Sequence, residues 1–231
     1  MKQTRANAKS LLPYRVRSFF RTAHQEVVFR RAMKRFMLAP ARCAQPRDPV
    51  LTDLIYGWGN DAWSAQDEYL AACVELALAT PGPILECGSG LSTILVGAIA
   101  HIRGLRYWTL EHLPEWAARV RQQLRRYQID WVQMSVKPLK DYGEFCWYNP
   151  PLDEMPDEFA FVLCDGPPGT GKGGRYGLVP VMREQLKLGC VIMLDDAGRE
   201  QERAIAQRWQ AELGASCETL GSTKPFIKLT T

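Results

Sequence analysis

No apolar stretch in this chain approaches the ~20 consecutive residues that a membrane-spanning helix needs, so no segment reads as a transmembrane span. A secretory leader is missing as well: the N-terminus is positively charged, but Arg15, Arg17 and Arg21 interrupt any apolar core. The Arg-rich, acid-poor start loosely resembles a mitochondrial transit peptide, the minor alternative to the cytoplasmic location expected here. The seven cysteines (Cys43, Cys73, Cys87, Cys146, Cys164, Cys190, Cys217) contain no C-x-x-C pair, and His24, His101 and His112 form no ligand spacing. Those absences exclude a disulfide framework and a zinc site and point to reduced, packed thiols. Internal repeats and low-complexity segments are also absent.

Acidic residues are scarce in one place only. Residues 1–50 hold twelve Lys/Arg and two Asp/Glu, whereas the rest of the 231-residue chain is net acidic despite the overall charge of +4. Two regions with different roles follow: a basic helical extension and linker over 1–50, and a domain over 51–231. From Tyr14 to Met37, Val16, Phe19, Phe20, Ala23, Val27 and Met33 recur near helical spacing among arginines. Such a helix either caps the domain or grips a polyanion, whether nucleic acid, an anionic substrate or an anionic membrane contacted through residues 14–37. Pro40, Pro46 and Pro49 then read as a linker.

Beyond the linker, strands and helices alternate. The pattern predicts a helix over Ser64–Leu78 with Ser64 as N-cap, and strands over Pro83–Cys87, Arg106–Leu110, Trp131–Val136, Phe159–Cys164 and Cys190–Leu194. Helices are expected over Ser92–His101, Pro114–Tyr127, Val179–Leu188 and Arg199–Leu213, with no crossover helix visible in the Pro-rich stretch 137–158. Two closing strands, Ser216–Leu220 and Phe226–Leu229, read as an antiparallel hairpin. The fold class is therefore α/β: a Rossmann-like, mostly parallel seven-stranded sheet with a C-terminal antiparallel hairpin, plus the basic N-terminal helical extension.

One motif is deceptive. Gly166-Pro167-Pro168-Gly169-Thr170-Gly171-Lys172 fills the first seven places of the phosphate-binding loop G-x-x-x-x-G-K-[ST]. The eighth place is Gly173, which has no hydroxyl for Mg²⁺, and Gly173–Gly177 continues as loop where a helix N-terminus should face the phosphates. The acidic run Asp195-Asp196 follows Lys172 too closely for the strand that such ATPases place between. An ATPase is excluded.

The strand ends are more informative, because open α/β sheets bind ligands beyond the carboxyl ends of their strands. The first strand ends in Glu86-Cys87-Gly88-Ser89-Gly90-Leu91-Ser92, a glycine turn carrying a carboxylate, with Thr93 where a dinucleotide fingerprint has its third glycine. A carboxylate there repels a pyrophosphate and attracts an ammonium or sulfonium. Glu111 closes the second strand, 25 residues after Glu86, near the offset at which an acidic residue accepts ribose hydroxyls; capping of the next helix is the alternative.

From about Trp58 onward the chain resembles the class I S-adenosylmethionine-dependent methyltransferases. "ILECGSGLSTI" is similar to the family's first motif, "WTLEH" to its second, "FAFVLCDGPPG" to the fourth-strand motif and "GCVIMLDDAGR" to the fifth strand. The resemblance implies S-adenosylmethionine as cofactor. Glu86, Gly88, Ser89, Gly90 and Ser92 would sit around its methionine part, Glu111 on the ribose, and His112 near the adenine, a plain surface position being the equal alternative for His112. Ser64 would lie in a segment closing over the cofactor. Asp165 would face the methyl group as the catalytic residue. By similarity to catechol O-methyltransferase and its relatives, Asp165, Asp195 and Asp196 could hold Mg²⁺, although Asp195 and Asp196 capping the next helix is an equal reading. Lys172, Arg175 and Tyr176, on the loop after Asp165, are the candidate substrate contacts. The expected activity is methylation of a small-molecule or glycan hydroxyl, with an RNA methyltransferase or a non-catalytic scaffold as alternatives.

Overall fold

The strand Ile84–Cys87 (β1) is buried at all four positions, so both faces of the sheet around it must be covered. In the computed structural model, which describes residues 14–59 and 65–231, that covering comes from two separate cores. Ile84, Tyr107, Phe161 and Leu163 join the core on one face, and Leu85, Cys87, Trp108, Leu110, Val162 and Cys164 join that on the other. This is the two-residue alternation of side chains across a sheet.

Before β1 come the helices α1 (Tyr14–Leu38), α2 (Pro49–Trp58) and α3 (Asp67–Ala79). After it come α4 (Leu91–Arg103), β2 (Tyr107–Glu111), α5 (Pro114–Arg126) and β3 (Val132–Val136), then a small ribbon, β4 (Lys140–Asp141) with β5 (Cys146–Trp147). The chain finishes with β6 (Phe159–Cys164), α6 (Leu178–Met182), β7 (Leu186–Leu194), α7 (Glu200–Leu213), β8 (Ser216–Leu220) and β9 (Phe226–Thr230). The described residues form one seven-stranded sheet in the order β3-β2-β1-β6-β7-β9-β8. The first five strands in that order run parallel; β9 is antiparallel to both β7 and β8. The expected architecture is present, with β9 inserted between β7 and β8.

Four sequence expectations change. The proline-rich linker contains α2: Asp48 caps it by accepting from the Val50 N–H at 2.7 Å, Pro49 occupies the first turn, and Gly59 ends it at φ +66°. Pro49 begins a helix because its missing N–H is one of those a helix start leaves unpaired anyway. The expected helix Val179–Leu188 ends at Met182, and Leu186–Leu194 is strand. Leu188 is 88% exposed, so the apolar spacing there never described a buried face. Phe159 pairs with Leu186, and the Gly189 N–H donates to the Thr231 carbonyl at 2.9 Å, drawing the segment into the sheet.

The basic helix divides into two parts. Its buried stripe is Phe29, Ala32, Met33 and Phe36, whereas Val16, Phe19, Phe20, Ala23 and Val27 are exposed. The second part lies on α2, with Gln25 Nε2 donating to the Tyr56 carbonyl at 3.0 Å. Gly57 is in contact with the Phe29 backbone, where a Cβ would approach Phe29 Cα to 2.8 Å. Finally, α3 starts at Asp67 after Gln66, and Ser64 lies outside the described residues. Where a third crossover helix would run, Phe145, Trp147 and Tyr148 fill the second core instead. Among the described residues no helix is long and apolar enough to cross a membrane.

Candidate active site

The parallel ladder continues one residue past each strand. The Gly88 N–H donates to the Leu110 carbonyl at 2.9 Å, the Asp165 N–H to the Cys87 carbonyl at 3.0 Å, and the Asp195 N–H to the Cys164 carbonyl at 3.1 Å. The chain therefore enters its loops in line, and those loops enclose a cavity of about 550 Å³ at the carboxyl end of the sheet. Gly88, at φ +90°, lies back to back with Gly166: a Cβ on it would approach the Gly166 N to 3.2 Å. A Cβ on Gly166 would in turn strike the Tyr148 hydroxyl. Both positions need glycine for the loops after β1 and β6 to meet.

Under the first loop lies Glu86, 1% exposed. Its carboxylate accepts from the hydroxyls of Ser92, Thr93 and Tyr107, each at 2.6 Å. Burial raises its pKa from 4.5 to about 7 against the pull of those donors. Thr93 Oγ1 also accepts from the Gly90 N–H at 2.8 Å, which is why threonine, not a third glycine, stands there. Neither Glu86 nor Gly90 is in the cavity wall; Gly88, Ser89 and Ser92 are. The carboxylate expected to face a cationic ligand is instead the tie that shapes the loop.

Glu111 does line the cavity. One carboxylate oxygen accepts from the Ser89 N–H at 3.1 Å and Ser89 Oγ at 2.7 Å, and the other from the N–H groups of His112 at 2.7 Å and Leu113 at 2.9 Å. Burial disfavours its charge, but these bonds and the His112 ring outweigh burial and hold its pKa below the usual carboxylate range. Trp116 lies alongside, its indole N–H donating to the Ser89 carbonyl at 2.6 Å. The Trp116 and Trp58 rings meet edge to face, 5.9 Å between centres, and the Arg119 guanidinium lies over both, 4.9 and 4.7 Å from their ring centres.

At the other end, Asp165 exposes about a third of its side chain. Burial and the neighbouring Asp195 carboxylate push its pKa upward against the pull of Arg175. Arg175, 2% exposed, donates from Nη2 to Asp165 at 3.0 Å and Asp196 at 2.7 Å, and from Nη1 to the Asp195 carbonyl at 2.7 Å.

No protein-family model matches this chain, and no curated protein matches it by sequence. Solved structures do. An O-methyltransferase from Bacillus cereus in complex with SAH superposes with a TM-score of 0.58 at 18% identity, covering 80% of this chain and 92% of its own. An SAH-bound methyltransferase from Podospora anserina gives 0.56 at 18% identity, covering 95% and 97%. A precorrin-6y C5,15-methyltransferase from Geobacter metallireducens gives 0.53 at 19% identity, covering 73% and 90%. The fold is that of the class I S-adenosylmethionine-dependent methyltransferases.

Within this methyltransferase fold, the loop after Asp165 is no phosphate cradle. Lys172 points away to the exposed Asp141 at 3.1 Å, and the next helix opens only at Leu178. Lys172 therefore leaves the set of substrate candidates. So does Tyr176, whose hydroxyl donates to Glu212 at 2.7 Å beneath the Arg208 guanidinium, 3.6 Å from the ring centre. Of the three, Arg175 alone lines the cavity.

The metal expectation also fails. The carboxylate oxygens of Asp165, Asp195 and Asp196 do lie within 4.8 Å of one another, but cations of the chain already stand between them. Arg175 bridges Asp165 and Asp196; Lys224 Nζ lies 3.0 Å from Asp195 and 2.8 Å from Asp196; Arg199 lies 3.0 Å from Asp196. Three carboxylates face three cations, so the donor set does not fit a divalent metal. Sequence reasoning missed Lys224, whose placement depends on strand order. A last strand antiparallel to β7 must begin beside the carboxyl end of β7, which brings the turn Gly221–Pro225 to the cavity. Trp116 and Arg199 were missed too, since nothing marks them beyond a helix turn following a strand end.

Proposed function

We propose that the protein is an S-adenosylmethionine-dependent methyltransferase acting on the hydroxyl of a small molecule, a glycan unit included. The observation that carries this reading is one cavity with two chemically distinct ends. Its size is within the ~300–1,000 Å³ usual for small-molecule sites. At one end, a diol would meet ionised Glu111 by taking over the bond that the Ser89 hydroxyl now makes to it, and the Trp116 ring and Leu113 offer a flat apolar wall for a base. That donor set fits the nucleoside of the cofactor. When bound, the cofactor supplies an electrophilic methyl group on a sulfonium.

At the other end, Asp165 exposes its carboxylate where an acceptor would enter. Methyl transfer is a direct displacement, so the chain's work is to align the two reactants, keep water out and receive a proton. The Gly88–Gly166 contact fixes the spacing of the two loops. Asp165, disfavoured as an anion by burial, is suited to take the hydroxyl proton, and Arg175 fixes its rotamer from below. We read residues 51–231 as the catalytic domain and residues 1–50 as an extension whose second part packs on α2 through Phe29, Met33 and Phe36. A thermal-shift comparison of S-adenosylmethionine, its demethylated product, ATP and NAD, each with and without Mg²⁺, tests the reading. Stabilisation by the first two alone is expected; stabilisation by ATP that is lost in Lys172→Ala would overturn it.

A further inference from the structure

The place where a divalent cation would sit is filled from an unexpected part of the chain. Lys224 belongs to the turn between β8 and β9, and that turn is held firmly. The Glu68 carboxylate at the start of α3 accepts from the Ser222 N–H at 2.9 Å, Ser222 Oγ at 2.6 Å and the Thr223 N–H at 3.0 Å. Pro225 follows, and Phe226 enters the sheet paired with Leu220. The ammonium is thus delivered by a braced turn, which separates it from an ordinary surface lysine.

Its surroundings are carboxylates whose charge it meets. Lys224 Nζ meets one oxygen of Asp195 and one of Asp196, while Arg175 Nη2 takes the other Asp196 oxygen and Asp165 Oδ1. Arg175 is buried, with both terminal nitrogens engaged by the protein. Lys224 is half-buried, lines the cavity, and has three N–H donors of which these carboxylates account for two.

We propose that Lys224 is the built-in cation of this site: its ammonium takes the place of a divalent metal among Asp165, Asp195 and Asp196 and excludes one as long as it is present. Under the methyltransferase reading, on which this consequence alone rests, the positive charge met by an acceptor oxygen comes from the chain. The acceptor's proton passes to Asp165 while an O–CH₃ bond forms and the S–CH₃ bond breaks, leaving a neutral thioether. Lys224 spreads the negative charge that develops on the acceptor oxygen.

The test is Mn²⁺ binding to the full chain, followed by electron paramagnetic resonance. Wild type is expected to leave Mn²⁺ free at millimolar concentration. Lys224→Met is expected to bind it at least tenfold more tightly, because a repelling charge a few ångströms from the ion has gone, and Asp195→Asn added to that variant should abolish the gain. Lys224→Arg, which keeps the charge, should behave as wild type. Mn²⁺ bound by wild type and lost in Asp195→Asn would overturn the proposal. So would a folded Lys224→Met protein that ignores Mn²⁺, with Lys224→Gln serving if the methionine variant does not fold. Melting with and without the demethylated cofactor, run on the same samples, keeps the two ideas apart: its failure in every variant strikes the methyltransferase reading and leaves the Mn²⁺ result standing.

Discussion

Replacing Glu86 by Gln should make the protein more resistant to alkaline conditions, although it removes a carboxylate that three hydroxyls contact. The raised pKa means that the folded state holds a proton on Glu86 that the unfolded chain has released. Between pH 4.5 and about 7 the folded state binds more protons, so the Glu86 contribution to stability falls as pH rises through that window. At about 1.4 kcal/mol per pH unit, the rise from 4.5 to about 7 amounts to about 3 kcal/mol. Glutamine mimics the protonated acid in shape and in offering both donor and acceptor, and the Ser92, Thr93 and Tyr107 hydroxyls can rotate to match it. Urea unfolding of both proteins at pH 5 and pH 8 isolates the group. Wild type should lose between about 2 and 3 kcal/mol relative to Glu86→Gln across that range, pH 5 lying already half a unit inside the window. A difference independent of pH, or one that moves in favour of wild type, would show that the three hydroxyl bonds outweigh burial and keep Glu86 ionised in the folded protein.

Glu111→Ala should weaken binding of the demethylated cofactor by about 1–3 kcal/mol, the cost of leaving polar partners unpaired; an unchanged dissociation constant by calorimetry would reduce Glu111 to a cap of α5. Asp165→Asn should slow turnover by ~10²-fold or more with little change in cofactor affinity, and the wild-type rate should climb with pH above the usual carboxylate range, since an Asp165 of raised pKa acts as a base only when deprotonated. Loss of cofactor binding with turnover per bound cofactor intact would make Asp165 a ligand instead. Met33→Ala should cost about 2–5 kcal/mol of stability and Phe19→Ala within about 0.5 kcal/mol, because Met33 is fully buried and Phe19 is 70% exposed; equal effects in denaturant titrations would contradict the division of α1.

The strand ends were legible because their signals are local. Each of β1, β2, β6 and β7 is an apolar run whose end is marked by a glycine or an acid, so Gly88, Glu111, Asp165 and Asp195 could be placed before any coordinates. What a side chain faces was harder to read. Alternation along β1 puts Glu86 on the face of Ile84, under α4, and not with the cavity; reading only that it stood beside the glycine turn missed this. Proline misled at Pro49, where it opens a helix. Stretch 137–158 resisted because Phe145, Trp147 and Tyr148 cover the sheet without any helical period. Lys224 depended on strand order, which becomes visible only once β9 is placed between β7 and β8.

The cluster of Trp58, Arg119 and Trp116 gives the site an optical consequence. Of the described tryptophans, Trp116 alone lines the cavity, and its indole N–H is tied to the Ser89 carbonyl on the loop that a ligand would touch. Trp147 and Trp209 are fully buried and so are insulated from anything entering. An aromatic base laid against Trp116 would quench its emission, while the bond to Ser89 and the contacts with Trp58 and Arg119 keep the ring from reorienting. Intrinsic fluorescence excited in the indole band should therefore report cavity occupancy directly, and Trp116→Phe should silence that signal, so that affinities can be followed with no label and no knowledge of the acceptor.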